Sequence, residues 1–310
     1  MNWLRKGNHS KGAAFFLLIL WLSGCASLPE VSPFVEATVQ LRSAMVASGI
    51  AVGTELRQTP GVESKAEELS RLWEVRIHSA DALVSYSESL AAIVRSGREG
   101  GDAAAQLADS VTGLSQAVGV VMPQATVVAT ATDTAKFVYT HIAAARASQS
   151  LEKALVNVQP AIQQIVRIMG EDLKLIEDIL LAAHQLQMTA VNEKYNLELG
   201  YLKSLRREQR EIYQKTRRSR EEEKRLTEID QLMEATKPWR AEYEKEKEEG
   251  DKRLRAGRQL LAGTRQSLTE WGFAHQQLIG AVREKRTVEV AALVQATQEV
   301  RELIRRIREL

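Results

Sequence analysis

Cysteine is nearly absent from this sequence, because Cys25 is the only one in 310 residues. A single cysteine excludes an intrachain disulfide and any metal site built from several cysteines. Aromatic residues reach only 5%, and just six prolines interrupt a chain dominated by Leu, Ala, Glu and Arg. This composition is typical of helical proteins, and it predicts an all-α fold with a substantial hydrophobic core.

An excess of charge of one sign is also missing. The formal charge is +2, but Arg5, Lys6 and Lys11 all precede Cys25 and no acidic residue does. Without those three, 39 basic side chains face 40 acidic ones. Nucleic-acid-binding proteins normally carry a strong basic excess, so we expect no nucleic-acid partner.

The amino terminus has the layout of a secretory signal peptide. A short basic region precedes an apolar run over residues 13–22. About ten residues is too short to cross a hydrocarbon layer of about 30 Å as a helix, but it suits a signal-peptide core. We therefore expect residues 1–24 to be removed. An ordinary signal peptide with an incidental cysteine, or an uncleaved anchor, is the alternative.

Residues Leu22, Ser23, Gly24 and Cys25 resemble the lipobox of bacterial lipoproteins. In that motif an apolar residue and two small ones precede the cysteine, because the signal peptidase needs small side chains beside the scissile bond. The resemblance implies cleavage after Gly24, a diacylglycerol thioether on the Cys25 thiol and acylation of its new amino group. Several acyl chains give near-permanent anchoring, so membrane lipid is the first partner we expect.

Ala26 bears on which membrane holds the anchor. In enterobacterial lipoproteins, Asp after the lipidated cysteine is the usual signal for retention in the inner membrane. The resemblance therefore implies sorting to the outer membrane, facing the periplasm, with the inner membrane as the alternative.

Charge density divides the mature chain. Only 7 of 58 residues are charged between 102 and 159, against 32 of 56 between 203 and 258. The first region is able to bury several helix faces, whereas the second buries only a narrow seam. We predict an elongated helical bundle with a long coiled-coil-like arm. Its expected parts are a lipidated tether (25–33), the bundle (34–200), a charged arm and return (201–282), and a C-terminal amphipathic helix (283–310).

Apolar residues recurring every three or four positions predict the helix boundaries. Because proline lacks the backbone donor that a helix interior needs, we expect Pro123 and Pro160 to start helices and Pro238 to interrupt one. The predicted helices cover 34–58, 63–96, 102–121, 123–158, a continuous rod from 160 to about 237, a return after Pro238, and 285–310, with a turn at Thr59-Pro60-Gly61.

Residues 110–132 carry no charge and are rich in Val, Ala and Thr. Such a segment is similar in layout to the inserting hairpin of helical pore-forming toxins, which makes a membrane-active protein the alternative function. Pro123 divides it, however, and neither half alone would span a bilayer. Packing inside an ordinary bundle is the expected outcome.

A basic run lies between residues 203 and 220, where eight Lys and Arg face only Glu208 and Glu211. A functional interpretation of such a run is contact with a polyanion, such as lipopolysaccharide, phospholipid head groups or an acidic partner. Glu221, Glu222 and Glu223 follow at once and offset the charge, so a solvated helix face with weak pairs between residues four apart is the expected outcome. The candidate anion contacts are Arg206, Arg207, Arg210, Arg217, Arg218 and Arg220.

Catalytic and metal-binding motifs are missing from the sequence. There is no HExxH pair, glycine-rich phosphate loop or GxSxG elbow, and His78 near Glu74 or Asp81 is too weak a pattern for a metal site. We expect no enzyme, cofactor or metal. The predicted function is a scaffold or interaction protein that contacts a protein partner, or itself, through long helices. A binding or hydrolase-associated lipoprotein, with a pocket that only the fold creates, is a further alternative.

Overall fold

The computed structural model of the chain describes residues 30–59, 63–97, 100–119 and 133–308. The lipobox, Pro60 and Gly61 of the predicted turn, and residues 120–132 of the uncharged segment lie outside the described residues. Within these ranges the chain forms helices and no strand, which confirms the predicted all-α bundle. The helices are α1 (Ser32–Gln58), α2 (Glu63–Arg95), α3 (Gly101–Ala117), α4 (Asp133–Arg146), α5 (Leu151–Lys194), α6 (Asn196–Tyr213), α7 (Arg220–Ala235), α8 (Lys237–Glu284) and α9 (Ala291–Arg308).

Trp271 of α8 lies at the centre of the bundle and is fully buried. Its ring stacks on Phe34 of α1 with 5.4 Å between the ring centroids, and Tyr86 of α2 meets it edge-on at 6.0 Å. The indole Nε1 donates to Oγ1 of Thr38 at 2.9 Å, so burial leaves its polar atom satisfied. Aromatic side chains of three helices thus share one core with α3, α4 and α5.

The two longest helices, α5 and α8, run antiparallel along each other. Ion pairs join Glu152 to Arg283 at 2.8 Å, Glu177 to Arg258 at 3.0 Å and Lys194 to Glu246 at 2.5 Å. Residue numbers along α8 therefore decrease as residue numbers along α5 increase. The pair begins within the bundle and continues out of it towards α6 and α7.

Helices α6 and α7 extend this antiparallel pair into an arm. They meet through a small hydrophobic cluster that is separate from the main core and consists of Leu205, Ile212, Leu226 and Ile229. Arg225 of α7 donates to both carboxylate oxygens of Glu208 of α6, at 2.8 and 3.0 Å. The arm thus buries a single narrow seam between two charged helices.

The predicted continuous rod over 160–237, with a reversal at Pro238, is wrong. Helix α6 ends at Tyr213, and the chain reverses over residues 214–219. Ser219 starts α7 with a capping box: its hydroxyl accepts from the Glu222 amide at 3.2 Å, and the Glu222 carboxylate accepts from the Ser219 amide at 2.8 Å. Pro238 lies in the first turn of α8, where the missing amide hydrogen is not needed.

The predicted helix boundary at Pro160 is also wrong, because this proline lies inside α5. Its ring removes one backbone hydrogen bond, a cost of roughly 3 kcal/mol in a helix interior. Val158 and Ile162 on either side are fully buried in the main core. The packing of both flanks holds α5 helical through the proline.

The predicted helix over 123–158 is interrupted as well. Helix α4 ends at Arg146, and α5 starts at Leu151 after Ser150, whose hydroxyl accepts from the Lys153 amide at 3.3 Å. Asn157 bridges the break, since its amide nitrogen donates to the Ala144 carbonyl at 3.2 Å. Serine-rich residues 148–150 therefore terminate the helix without a proline or glycine.

Helix α3 ends at Ala117, four residues before the predicted boundary, because Gly119 adopts a left-handed backbone with φ of 77°. Val111 and Leu114 are buried in the main core, so the described half of the uncharged segment packs inside the bundle. None of the helices in the described ranges combines the length and apolar content needed to cross a bilayer.

The last helix, α9, starts at Ala291, six residues later than predicted, after Lys285 ends α8 in a left-handed conformation with φ of 51°. Its apolar stripe packs on α1 and α8, where Val300 clusters with Ala44 and Leu260. The helix thus covers its apolar face on its own bundle.

Candidate functional site

The end of the arm carries the basic side chains that the sequence predicts as anion contacts. Lys203, Arg206, Arg207 and Arg210 lie on α6 at spacings of three and four residues, so they share one helix face. All four are exposed, while Leu205 on the opposite side is buried against α7. This face of α6 therefore points away from its partner helix.

The reversal at 214–219 adds further cations at the same place. Arg217 and Arg218 lie in the turn, and the guanidinium of Arg218 sits over the Tyr213 ring, 5.2 Å from its centroid. Arg220 is the first residue of α7. We call this surface the basic tip; it consists of Lys203, Arg206, Arg207, Arg210, Arg217, Arg218 and Arg220.

The structure therefore gathers the six predicted arginines at one end of the molecule. A reversal at Pro238 would instead have left them partway along a rod. The composition predicts which residues carry the charge, but their position depends on the capping box at Ser219.

Two of the nearby carboxylates, Glu208 and Glu222, are paired with other cations, while Glu211, Glu221 and Glu223 are exposed beside the basic tip. The guanidinium of Arg225 hydrogen-bonds Glu208 and holds its pKa below the usual range. Lys215 does the same for Glu222, whose pKa is lowered mainly by that hydrogen bond. Among the described residues, no carboxylate forms an ion pair with a cation of the basic tip. Its positive field thus remains available to an external anion.

The basic tip and the start of α1 lie at opposite ends of the molecule. Helix α1 runs antiparallel to α8, because Thr38 contacts Trp271 while Glu55 pairs with Arg253 at 3.0 Å. The start of α1 therefore lies at the bundle end that is remote from the arm. From Trp271 to Arg220, about 50 residues of α8 and α7 correspond to about 75 Å along the helices at 1.5 Å per residue.

A buried polar cluster that the sequence analysis missed lies where the bundle meets the arm. The Glu55 side chain is only 2% exposed and accepts from Nε of Arg253. The amide nitrogen of Gln187 donates to Glu55 at 2.6 Å, and the amide oxygen of Gln187 accepts from Arg253 at 2.8 Å. His184 Nε2 lies 3.1 Å from a carboxylate oxygen of Asp251. These groups connect α1, α5 and α8, so the cluster stabilises the packing of the three helices.

An aromatic cluster, also missed, marks the joint between α5 and α6. The Tyr195 ring lies 5.4 Å from that of Tyr243 and 6.3 Å from that of Trp239. Lys194 and the Tyr195 hydroxyl both bond Glu246, and the Lys194 bond is the main reason that the pKa of this carboxyl is lowered. Aromatic packing thus holds the pair together where α5 gives way to α6. Contacts between residues fifty positions apart leave no local signal in the sequence.

A cavity of about 170 Å³ lies between α1, α2 and α5 in the bundle. Among its lining residues the only carboxylate is Asp172, which pairs with Arg76 at 3.3 Å, and no histidine lines it. It therefore lacks the converging carboxylates or histidines that a hydrolytic site would need. Its lining is Met45, Arg76, Ser79, Val118, Met169, Asp172, Leu173 and Ile176.

The weak metal pattern at His78 does not form a site, because Asp81 pairs with Arg42 instead. In the part of the chain that the structure describes, no group of three or more His, Cys, Asp or Glu is placed to hold a metal ion. His275 is fully buried and bonds Tyr86. The histidines thus offer no converging ligand set in these ranges.

Comparison with known proteins adds no relative: no family model, no curated protein and no solved structure matches the chain.

Proposed function

We propose that this protein is a lipid-anchored, non-enzymatic scaffold of the bacterial envelope, which holds the basic tip away from the membrane that carries its anchor. The anchor is a lipid on Cys25, in the outer membrane and facing the periplasm. The rest of the chain acts as a spacer and an interaction surface. Its partners are membrane lipid at one end and an anionic partner at the other.

One observation carries this proposal: the start of α1 and the basic tip lie at opposite ends of the molecule. The described chain starts beside α1, at the bundle end remote from the arm, and the tether 25–33 leads there from Cys25. The basic tip lies about 75 Å along the helices from the level of Trp271. A catalytic protein does not need such a spacer, whereas a scaffold depends on it.

The surface of the arm supports an interaction role. The seven cations of the basic tip are exposed, and so is Leu197 at the start of α6, with 84% of its surface accessible. By contrast, the described polar clusters deeper in the chain tie helices to one another. We therefore assign the contact with an anionic partner to the arm, where the exposed cations are gathered.

Metabolic labelling tests the anchor. Cells that express the protein are fed an alkyne fatty acid, and the purified protein is assayed for label next to the Cys25→Ala variant. We expect label on the wild type and none on Cys25→Ala. A matched Ser27→Ala variant, with the cysteine intact, keeps the label. Unlabelled wild type would contradict the proposal.

Membrane fractionation in an enterobacterial host tests the location. Wild type should separate with the outer membrane. Ala26→Asp should move the protein to the inner membrane, because it introduces the retention signal of the family that the motif resembles. Ala26→Ser serves as the control and should stay with the outer membrane. Identical distribution of all three proteins would refute the assigned location.

A further inference from the structure

We propose that the basic tip binds the anionic headgroups of a second membrane surface, so that the protein bridges two membranes. This inference rests on the proposed function, because the tip faces a second membrane only if Cys25 anchors the opposite end in the first. It goes further by naming the chemistry of the tip's partner.

The charge of the tip fits phosphate headgroups. Clusters of four to eight Lys and Arg on a helix are sufficient for electrostatic binding to anionic lipid surfaces. The basic tip has seven such residues, six of them arginines, and the guanidinium group matches phosphate oxygens with paired hydrogen bonds. Glu208 and Glu222 are already paired within the arm, so the seven cations of the tip exceed the three exposed carboxylates beside them, which are Glu211, Glu221 and Glu223.

The shape of the tip favours a lipid surface over an acidic protein. The cations project outward from the end of a helix pair and from its turn, which makes a convex surface. Specific protein interfaces need an apolar centre with aromatic anchors. Helix α6 exposes two aromatic side chains, Tyr201 and Tyr213, and the Tyr213 ring lies under the guanidinium of Arg218. Tyrosine is enriched in the interfacial zone of membranes.

The direction of the arm places the tip at the far end of the molecule from the proposed anchor. Contacts between α1 and α8 put the start of α1 at the far end of the bundle from the arm. Ordered helices, rather than a flexible linker, separate this end from the turn at 214–219. The tip therefore faces away from its own anchor.

Binding to supported bilayers tests the proposal. The processed full-length protein is held in phosphatidylcholine nanodiscs and passed over bilayers of phosphatidylcholine, with or without phosphatidylglycerol. The tip variant replaces Arg206, Arg207, Arg210 and Arg217 by Gln. The matched control replaces four exposed cations of the bundle and of α9 that form no ion pair in the described ranges: Lys174, Arg255, Arg301 and Arg306.

We expect binding to the bilayers that contain phosphatidylglycerol, and not to phosphatidylcholine alone. The tip variant should bind at least about tenfold more weakly, because each basic residue near an anionic surface contributes separately. The control variant should bind as wild type does. Raising the salt should weaken binding, since the screening length falls from about 8 Å to about 3 Å.

Equal binding to both bilayers, or an equal loss in the tip and control variants, would overturn the proposal. So would the absence of binding to the bilayers that contain phosphatidylglycerol, and crosslinking of the tip to an acidic protein would then identify the other kind of partner. Intact mass of the same preparation reports the lipid on Cys25. A preparation without lipid contradicts the proposed function, while the bilayers still report whether the tip binds anionic headgroups.

Discussion

The hydroxyl of Tyr86 lies 2.5 Å from Nε2 of His275, and both side chains are fully buried. Gln159 bonds the other ring nitrogen through its side-chain oxygen, which accepts only, so Nδ1 carries the proton and Nε2 accepts from Tyr86. Burial lowers the pKa of His275 to about 3. The imidazole is therefore neutral and serves as a polar link between α2, α5 and α8.

This burial predicts a pH dependence of stability. Between about pH 3 and 6.5 the unfolded histidine binds a proton that the folded one does not, so the free energy of unfolding falls as the pH falls. From about pH 7 to about pH 4.5, His275 alone should cost about 2.5 kcal/mol. Urea unfolding of wild type and His275→Gln at both pH values measures the difference. Equal losses in the two proteins would show that His275 does not contribute.

Gly49 permits the close approach of α1 and α2. A Cβ at this position would lie 1.9 Å from Nε1 of the buried Trp73. We expect Gly49→Ala to lower the free energy of unfolding by about 1 to 3 kcal/mol, because the indole must shift within a packed core. Gly113→Ala is the control, since the added Cβ would have no atom within 4 Å outside the backbone of its own helix turn. It should raise the free energy of unfolding by about 0.4 to 1 kcal/mol. Thermal denaturation compares the two, and stabilisation by both would contradict the packing.

Because Glu55 and Arg253 form a buried pair, we expect that the losses of unfolding free energy caused by substituting them are strongly non-additive. Arg253→Leu leaves a buried carboxylate without its cation, and we expect a loss of about 3 to 5 kcal/mol. The double variant Glu55→Leu with Arg253→Leu should recover much of that loss, because no charge remains buried. Arg167→Leu, at a pair with Glu171 that is more than half exposed, should cost under about 1 kcal/mol. Chemical denaturation measures these variants together with the single variant Glu55→Leu, and strict additivity of the two single losses would exclude a buried, coupled pair.

Ser219 should control the stability of the arm without affecting the bundle. Ser219→Ala removes the capping box of α7, which we expect to cost about 1 kcal/mol locally. Because the arm's hydrophobic cluster is separate from the main core, hydrogen exchange should quicken over α6 and α7 while α1 and α2 keep their protection. Ser204→Ala, at an exposed position within α6, is the control and should leave both unchanged. Uniform quickening over the whole chain would contradict an independent arm.

Local patterns predict part of this fold. Three- and four-residue apolar spacing predicts α1 and α2 within a few residues. Gly97, with φ of 67°, lies just past the end of α2, where glycine commonly terminates a helix. Proline is less informative, because Pro160 stays inside α5 where the core holds both flanks. Ser150 and Ser219 start two helices, because their hydroxyls cap the first turn. Helix boundaries predicted from the prolines miss both starts.

The candidate site is predictable in composition but not in place. The six arginines are evident from the sequence, yet their position at the end of the arm depends on where the chain reverses. The contacts of His184 and His275 join helices that are far apart in the chain. Such pairings follow from the packing of the fold and have no counterpart in local sequence patterns.

Energy transfer in reconstituted protein tests the central claim most directly. Under the proposed function the Cys25 thiol is blocked by lipid, so a cysteine introduced at an exposed site is the only free thiol. A donor dye can then be attached at Thr216→Cys in the turn or at Glu36→Cys on α1. Acceptor dyes label the lipid of neutral vesicles. We predict strong transfer from position 36 and almost none from position 216, which lies about 75 Å further along the helices. Strong transfer from both positions would mean that the arm lies against its own membrane, and would contradict the account.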